Sequence, residues 1–386
     1  MKPVAVLIAA CSPGFPVEHL GATKKIELVA KLLQRLGYDL HYVDSGHPED
    51  RLTAPVLGQP ARVGDTAVTL WRPACLPNRK LGKLLNVLSA APLIDALAAR
   101  RPQLIWLYNS YAFEARWGMA LQASTGAKLI LELEDLPLAR HRGLNPKPRL
   151  DQWYFERLLP HVDLATFVNA TLMEQYRPRV RQSLLLPSVL QDAITQLPDR
   201  RRFASETHRL GYFGGLEADK GVQVLLDLVP SLPAKWKLVV TGVGSLSGAF
   251  REIATRHPEA IEFHGAVPHQ EVVRLMSDCD AIVNPHAAIT EMDNGVFPFK
   301  VCEALASGAL LITTPLPAID LELIGHVEGF DGTCKGLMQA LQRAPALYAQ
   351  RHEALTTLRQ SVCQRYGESA VFERVNQAIH AIEHAS

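Results

Sequence analysis

Residues 294–313, NGVFPFKVCEALASGALLIT, change from loop to helix to turn to strand within one short segment. Pro298 fixes its own φ and so marks the loop, and Gly308 stands where a helix would end. Leu310–Thr313 is a short apolar run, which is typical of a parallel strand covered on both faces. Between these signals, apolar residues recur at helical spacing: Val301, Ala304 and Leu305. The segment therefore predicts a helix that leads into a buried strand.

Glu303 gives this segment a candidate function. It would lie in the first turns of the predicted helix, where free backbone N–H groups and the helix dipole can hold an anion. A carboxylate at that place could bind ribose hydroxyls while the amides bind phosphate or sugar oxygens. The alternative is a capping carboxylate with a purely structural role.

The rest of the chain alternates strand-like and helix-like segments in two series, separated by a polar, Pro-containing stretch at 186–207. The first series has expected strands at 4–10, 40–43, 104–108 and 129–133 and helices at 22–36 and 79–100. The second has expected strands at 209–213, 237–241, 261–264 and 281–284 and helices at 222–228 and 269–277. This alternation predicts an α/β protein with two doubly wound parallel sheets. A length of 386 residues also favours two domains.

The composition, with 48% apolar and 20% charged residues, is that of an ordinary globular protein. The net charge of +1 is unevenly spread, because residues 1–187 carry 23 Lys and Arg against 16 Asp and Glu. A basic first half suits an anionic surface or acceptor, although such an asymmetry also arises without function. No apolar stretch approaches the 18 or so residues of a membrane-spanning helix.

The six cysteines show no CxxC or CxxxH spacing, which argues against a zinc site. Cys11, Cys279 and Cys302 fall in or beside apolar runs, so we expect buried thiols in a reducing compartment. The apolar run before Cys11 resembles a lipoprotein cleavage box, but it is short, and a buried first strand is the better interpretation.

In the second half, the order of motifs resembles that of the retaining family 4 glycosyltransferases of the GT-B fold. The order is GYFGGLEADKG at 211–221, LVVTGVGSLSG at 238–248, FHGAVPHQEVVRLMSDCDAIVNP at 263–285, and then the segment at 294–313. The resemblance implies two Rossmann-like domains facing each other across a cleft. We place an acceptor-side domain at 1–187 and a donor domain at 188–365, with a C-terminal helix at 366–386 that packs back on the first domain.

The resemblance also implies a set of donor-binding residues. Lys220 would contact the donor diphosphate, and a cation just before a helix N-terminus, where it is otherwise mildly unfavourable, supports that role over a solvated lysine. The loop at 265–268 would hold the nucleobase, 297–301 the phosphate and sugar, and Glu303 the ribose. The full donor-binding set is Gly14, Gly21, Gly214, Gly215, Lys220, Gly265, Val267, Phe297, Pro298, Phe299, Lys300, Val301 and Glu303. The expected catalytic residues are Lys220, Lys300, Glu303 and Asp135.

This chain departs from the family pattern at two places. Eight residues before Glu303, where the family has another glutamate, it has Gly295, and Glu291 or Asp293 is the candidate replacement. Gly215 stands where the family often has an arginine, and the lysine of the FPFK segment would supply the lost charge.

Asp135 follows the expected strand at 129–133, together with Glu134. Acidic groups there could orient an acceptor hydroxyl or accept its proton, although a turn role is equally consistent with the nearby Pro137. The cleft-facing histidine of the family has no clear match, and His141 is a candidate by proximity alone.

Two further patterns allow more than one interpretation. Asp278-Cys279-Asp280 has the form of a metal-binding DxD motif, but it would straddle a helix end and a strand start, so we expect capping or surface carboxylates. The segment at 79–100 reads as a basic amphipathic helix, which could dock on anionic lipid or pack on the sheet.

The function implied by the resemblance is a retaining, metal-independent glycosyltransferase. It would move a sugar from a nucleotide-diphosphate sugar to a glycan or lipid-linked acceptor in cell-surface or exopolysaccharide biosynthesis. It would work in the cytoplasm or at the inner face of the membrane, with no cofactor besides this co-substrate and no nucleic-acid partner. The alternatives are a non-catalytic nucleotide-sugar or glycan-binding protein of the same fold, and a nucleotide-sugar epimerase.

Overall fold

A computed structural model of the chain describes residues 2–10, 20–46, 51–78, 81–82, 85–86, 91–134, 136, 146–187, 189–286, 299–315 and 327–384. The chain divides into two compact units. The first comprises Met1–Leu186 and Phe372–Ser386, and the second comprises Pro187–Val371. Each unit is an α/β structure built on its own sheet, which confirms the fold class expected from the alternating pattern.

The first unit contains an eight-stranded sheet. Its strands are β1 Val4–Ala9, β2 Asp39–Asp44, β3 Val56–Val63, β4 Thr66–Arg72, β5 Leu104–Tyr108, β6 Lys128–Leu133, β7 Leu164–Phe167 and β8 Gln182–Leu185. They lie in the order β3-β4-β2-β1-β5-β6-β7-β8. The central strands β1, β5 and β6 are almost wholly apolar and buried because both faces of a parallel sheet are covered.

Helices accompany this sheet. They are α1 Leu20–Arg35, α2 Ala91–Ala98, α3 Ala112–Thr125, α4 Lys147–Leu158 and α5 Ala170–Tyr176. Helix α1 begins earlier than expected, so Gly21 lies in its first turn and not in the preceding loop. The helix expected at 79–100 is described only in part. Residues 81–82, 85–86 and α2 are helical, and the other residues of that segment before α2 lie outside the described part.

The β3–β4 pair departs from the expected all-parallel sheet, because these two strands are antiparallel. Val63 and Thr66 face each other across a two-residue turn, Gly64-Asp65. Gly64 has a φ of +55°, and a turn this short reverses the chain direction. A Gly-Asp pair between two β-branched residues is typical of a hairpin turn, so the sequence could have predicted this antiparallel pair.

The second unit contains a six-stranded sheet in which all neighbouring strands are parallel. The strands are β9 His208–Phe213, β10 Trp236–Thr241, β11 Ile261–Gly265, β12 Ala281–Asn284, β13 Leu310–Thr313 and β14 Glu328–Gly329. The helices are α6 Asp192–Thr195, α7 Gln223–Leu228, α8 Ser247–Arg256, α9 His269–Asp278, α10 Phe299–Ser307 and α11 Cys334–Tyr366. The last helix, α12 Glu368–Glu383, begins in this unit, and its residues from Phe372 onward belong to the first.

The strand order of the second sheet is β11-β10-β9-β12-β13-β14, so the chain changes direction across the sheet at β9. Strands β10 and β11 lie on one side of β9, and β12 and β13 lie on the other. The loops that follow β9 and β12 therefore part at the carboxyl edge of the sheet. Such a switch point is where open α/β sheets bind their ligands.

Cys279 and Cys302 are buried thiols that form no disulfide, as expected, whereas Cys11 lies outside the described residues. In the described part of the chain, no helix has both the length and the apolar character needed to cross a bilayer.

Arg202 is a buried arginine, with only 3% of its surface exposed. It joins separate segments of the second unit. Its guanidinium donates to the carbonyl oxygens of Ser277 at 2.5 Å and Cys279 at 2.7 Å. It also donates to the carbonyl oxygen of Ser307, the last residue of α10. Carbonyls at helix ends have no partner within the helix, so this side chain satisfies them. The polar stretch at 186–207 is therefore partly core.

We predict that Arg202→Met lowers the free energy of unfolding by about 3 kcal/mol, because it leaves buried carbonyl oxygens without donors. Urea unfolding followed by circular dichroism measures the effect. Arg201→Met is the matched control, since the neighbouring Arg201 is exposed, and it should change stability by less than about 0.5 kcal/mol. Equal effects from both variants would contradict the structural role given to Arg202.

Candidate functional site

The loops that follow β9 and β10 lie directly against each other at the carboxyl edge of the second sheet. The backbone N–H of Gly214 donates to Thr241 O at 3.2 Å, and that of Leu216 donates to Val243 O at 2.8 Å. The N–H of Leu246 in turn donates to Leu216 O at 3.0 Å. These hydrogen bonds fix the path of the chain toward Lys220.

Gly242 allows this close approach. It has a φ of +141°, and a Cβ atom there would lie 1.8 Å from the carbonyl oxygen of Gly214. A Cβ on Gly244 would lie 2.5 Å from the carbonyl oxygen of Leu216. The Gly-x-Gly pair thus serves the contact between two loops and is not a dinucleotide fingerprint.

Glu217 secures the same contact through its side chain, which accepts hydrogen bonds from the N–H and the hydroxyl of Ser245. No periodic pattern in the sequence indicates this residue, because its partner lies on a different loop. Its carboxylate is therefore engaged within the loop framework.

Lys220 lies at the end of a short 3₁₀ turn, Ala218–Lys220. Its Nζ is 3.4 Å from His286 Nε2 and 3.5 Å from the carboxylate of Asp219, whose side chain is 59% exposed. The helix that follows, α7, has six residues, close to the helix at 222–228 expected from the sequence.

Lys300 approaches the same loop from the first turn of α10. Its Nζ lies 3.3 Å from the hydroxyl of Tyr212 and 4.4 Å from the centre of the Tyr212 ring. The Tyr212 hydroxyl donates to the carbonyl oxygen of Gly215 at 2.7 Å. A Cβ on Gly214 would lie 3.7 Å from Lys300 Nζ, so Gly214 borders this ammonium group, while Gly215 contacts the Tyr212 hydroxyl.

The electrostatics of this cluster show an excess of positive charge. Burial and the charge of Lys220 lower the pKa of Lys300 to about 7, while Glu303 opposes the shift. Burial, Lys220 and Lys300 lower the pKa of His286 to about 4, so its imidazole is neutral at physiological pH. Two lysines beside a neutral histidine form a site suited to an anion.

The other expected donor-binding residues occupy several positions. Gly265 ends β11 with a φ of +64°, and Val267 lies in the loop that follows. Glu303 lies in the second turn of α10, one turn after Phe299, while Val301 is buried in the core. Of the remaining expected residues, these lie outside the described part of the chain: Gly14, Asp135, Phe297 and Pro298, as well as His141, Glu291, Asp293 and Gly295.

The first unit contains a buried ion cluster that sequence reasoning missed. Lys25 Nζ lies 2.9 Å from Glu132 and 3.0 Å from Glu134, and the lysine side chain is fully buried. Burial alone would lower the pKa of Lys25, but the two carboxylates raise it above its ordinary value. Glu134, expected to accompany Asp135 toward an acceptor, is therefore paired with a lysine.

The Asp278-Cys279-Asp280 motif has structural partners, as expected. Asp280 accepts hydrogen bonds from the backbone N–H of Phe203 at 2.6 Å and of Arg209 at 2.9 Å. Asp278 pairs with Arg274 at 3.1 Å. The two carboxylates therefore serve the helix end and the neighbouring strand.

Comparison with known proteins agrees with this arrangement. The family model Glycosyl transferases group 1 matches residues 207–352, which include β9 to β14 and Lys220, His286 and Lys300. No curated protein sequence matches the chain.

Similar solved structures cover nearly the whole chain at low sequence identity. Sucrose-phosphate synthase from Thermosynechococcus elongatus is 15% identical with a TM-score of 0.70, over 100% of both chains. The trehalose 6-phosphate synthase of Burkholderia multivorans is 12% identical with a TM-score of 0.67, over 99% of both. HepE of Anabaena in complex with UDP-glucose is 14% identical with a TM-score of 0.65, over 98% of this chain and 99% of that one. These likenesses show the GT-B fold.

We predict that Gly242→Ala destabilises the second unit by about 2 kcal/mol or more, because the new Cβ meets backbone and not a movable side chain. Chemical denaturation measures the change. Gly248→Ala is the control, since a Cβ there meets nothing within 4 Å and should add roughly 0.5–1 kcal/mol to helix α8. A neutral Gly242→Ala variant would contradict the packing of the two loops.

Lys300 predicts a pH dependence of stability. Its folded-state pKa of about 7 lies below its ordinary value of 10.5, so between these values the unfolded chain binds more protons. Stability conferred by Lys300 therefore rises with pH across that window, by at most about 1.4 kcal/mol per pH unit. In urea titrations, the free energy of unfolding of wild type minus that of Lys300→Met should therefore increase between pH 7 and 9.5. The corresponding difference for Lys235→Met, at an exposed lysine, should stay constant over the same range. A constant difference for Lys300→Met as well would contradict the assignment.

Proposed function

We propose that the protein is a retaining, metal-independent glycosyltransferase that takes a sugar from a nucleotide-diphosphate sugar. The observation that carries this proposal is the convergence of Lys220 and Lys300 on one loop at the switch point of the second sheet. A diphosphate supplies the negative charge that this pair lacks. The group 1 family match over the same residues supports the assignment.

In the proposed reaction, the bond between the anomeric carbon and the diphosphate oxygen breaks, and a bond to the acceptor oxygen forms on the same face. The acceptor proton passes to an oxygen of the departing diphosphate. Lys220 and Lys300 stabilise the charge that develops on this leaving group. Most of the rate enhancement is then electrostatic stabilisation and alignment, with no protein nucleophile.

The remaining donor contacts follow from the expected residues. Glu303 binds the ribose hydroxyls, and backbone groups at Gly265 and Val267 hold the nucleobase. A uridine nucleotide is the first donor to test, because HepE was solved with UDP-glucose and with UDP. The lysine charges take the place that a metal ion has in other transferases, so we propose that neither a metal nor another cofactor is needed.

We place the acceptor on the first unit, as a glycan or lipid-linked molecule of cell-surface or exopolysaccharide biosynthesis, with Asp135 as a candidate to orient its hydroxyl. The excess of basic residues in 1–187 supports an anionic surface there. Leu81 and Leu85 are each in helical conformation, and they are 50% and 39% exposed. These apolar side chains support a peripheral site at the inner face of the membrane.

The proposal predicts that one of UDP, GDP, ADP and dTDP stabilises the protein in EDTA, measured by thermal shift. A ligand at a hundred times its Kd adds about 2.7 kcal/mol. Lys220→Ala should weaken this binding at least about tenfold, because it removes one of two diphosphate-binding charges. Lys235→Ala, on an exposed lysine of the same unit, should bind like wild type.

Transfer to an acceptor is measured separately with the matching nucleotide sugar, and the anomeric configuration of the product tests retention. No shift with any nucleotide would overturn the proposal. Binding without transfer or donor hydrolysis would favour a non-catalytic nucleotide-sugar-binding protein.

A further inference from the structure

The two lysines of the site are held by neutral side chains from two other elements. Lys220 meets the imidazole of His286, which follows β12, and Lys300 meets the phenol of Tyr212, on β9. Both partners are rigidly placed, since His286 is 3% exposed and Tyr212 is fully buried. Each lysine thus contacts a buried group that carries no charge of its own, and Lys220 also lies beside the exposed carboxylate of Asp219.

The contact between Lys220 and His286 determines the tautomer of the histidine. An ammonium group can only donate hydrogen bonds, so Nε2 accepts and the ring proton lies on Nδ1. The low pKa of His286 agrees with this neutral form. The histidine backbone is held too, because its carbonyl oxygen accepts from the Thr314 hydroxyl at 3.0 Å.

Tyr212 acts on Lys300 and on the loop together. Its hydroxyl proton goes to the carbonyl oxygen of Gly215, which leaves an oxygen lone pair to accept from Lys300 Nζ. The ring face adds a cation–π contact at 4.4 Å. One side chain therefore sets both the lysine and the loop that leads to Lys220.

A neutral partner has a physical advantage over a carboxylate here. A carboxylate would hold a lysine more firmly, but it would cancel the charge that an incoming anion needs, and the anion would have to compete with it. Among the described residues, the acidic groups that face the lysines are Asp219, which is exposed at 3.5 Å from Lys220, and Glu303, which acts on Lys300. The exposed Asp219 is screened by water and offsets little.

We propose that His286 and Tyr212 are positioning residues that hold Lys220 and Lys300 ready for a diphosphate without neutralising them. The inference rests on the proposed function and adds the requirement that the partners be uncharged hydrogen-bond acceptors. It predicts that the charge of the residue at 286 controls diphosphate affinity more strongly than its shape does.

The test compares His286→Gln with His286→Glu by isothermal titration with UDP and UMP, or with whichever nucleoside diphosphate and monophosphate bind wild type. Glutamine offers a neutral acceptor oxygen and should stay within about threefold of the wild-type Kd. Glutamate, of nearly the same size, should weaken diphosphate binding at least about thirtyfold and monophosphate binding much less. Thermal unfolding of both variants without ligand shows whether they fold equally well.

Tyr212→Phe provides an independent measurement, because it keeps the ring and removes only the hydroxyl. It should raise the Kd for the diphosphate about tenfold and leave the monophosphate nearly unchanged. Tyr348→Phe is the matched control in the same unit, since its hydroxyl accepts from the backbone N–H of Arg202 at 3.4 Å, away from the two lysines. It should bind both nucleotides like wild type.

The outcomes separate this inference from the proposed function. If wild type binds no nucleoside diphosphate, the proposed function itself is wrong. If wild type binds and the glutamine and glutamate variants have the same affinity, whether high or low, the positioning role is overturned. A Tyr212→Phe variant that weakens monophosphate and diphosphate equally would also overturn it, because a general structural defect would explain that result.

Discussion

The candidate site of the second unit depends on one constraint. The ammonium groups of Lys220 and Lys300 both lie beside the loop that follows β9. Burial lowers the pKa of Lys300, and the charge of Lys220 lowers it further because the two ammonium groups repel each other. Neither would remain at this position in a loosely packed chain, because both side chains would swing into water and gain entropy. The fold opposes this through neutral hydrogen-bond acceptors, and an anion would relieve the repulsion. In the proposed function, the relief of this repulsion contributes to the affinity for a diphosphate.

The scaffold around the site is built to hold those loops in place. The two glycines at 242 and 244 let one loop backbone lie against another, and Glu217 ties the second loop through Ser245. Behind the sheet, Arg202 and Asp280 satisfy the backbone groups at the ends of α9, α10 and β9. Polar residues that look like linker or metal-ligand signals in the sequence are thus structural parts of the core.

The sequence predicted the parts of this arrangement that depend on local pattern. Strands β12 and β13 have the expected bounds, and Lys220 and Lys300, which motif and charge indicated as donor-binding residues, lie in one cluster. His286 and Tyr212 were missed because one stands in a loop and the other looks like an ordinary strand residue. Their roles arise from contacts 66 and 88 residues apart along the chain. Lys25 and Glu134, 109 residues apart, were missed for the same reason, since no periodicity encodes a long-range pair.

The central claim is that the carboxyl edge of the second sheet binds a diphosphate through both lysines. The most direct measurement is a crystal structure with the nucleoside diphosphate that stabilises the protein. The account predicts phosphate oxygens within about 3.2 Å of Lys220 Nζ and Lys300 Nζ, with His286 Nε2 and the Tyr212 hydroxyl still in contact with those lysines. A nucleotide bound elsewhere on the chain, or one whose phosphates contact neither lysine, would contradict it.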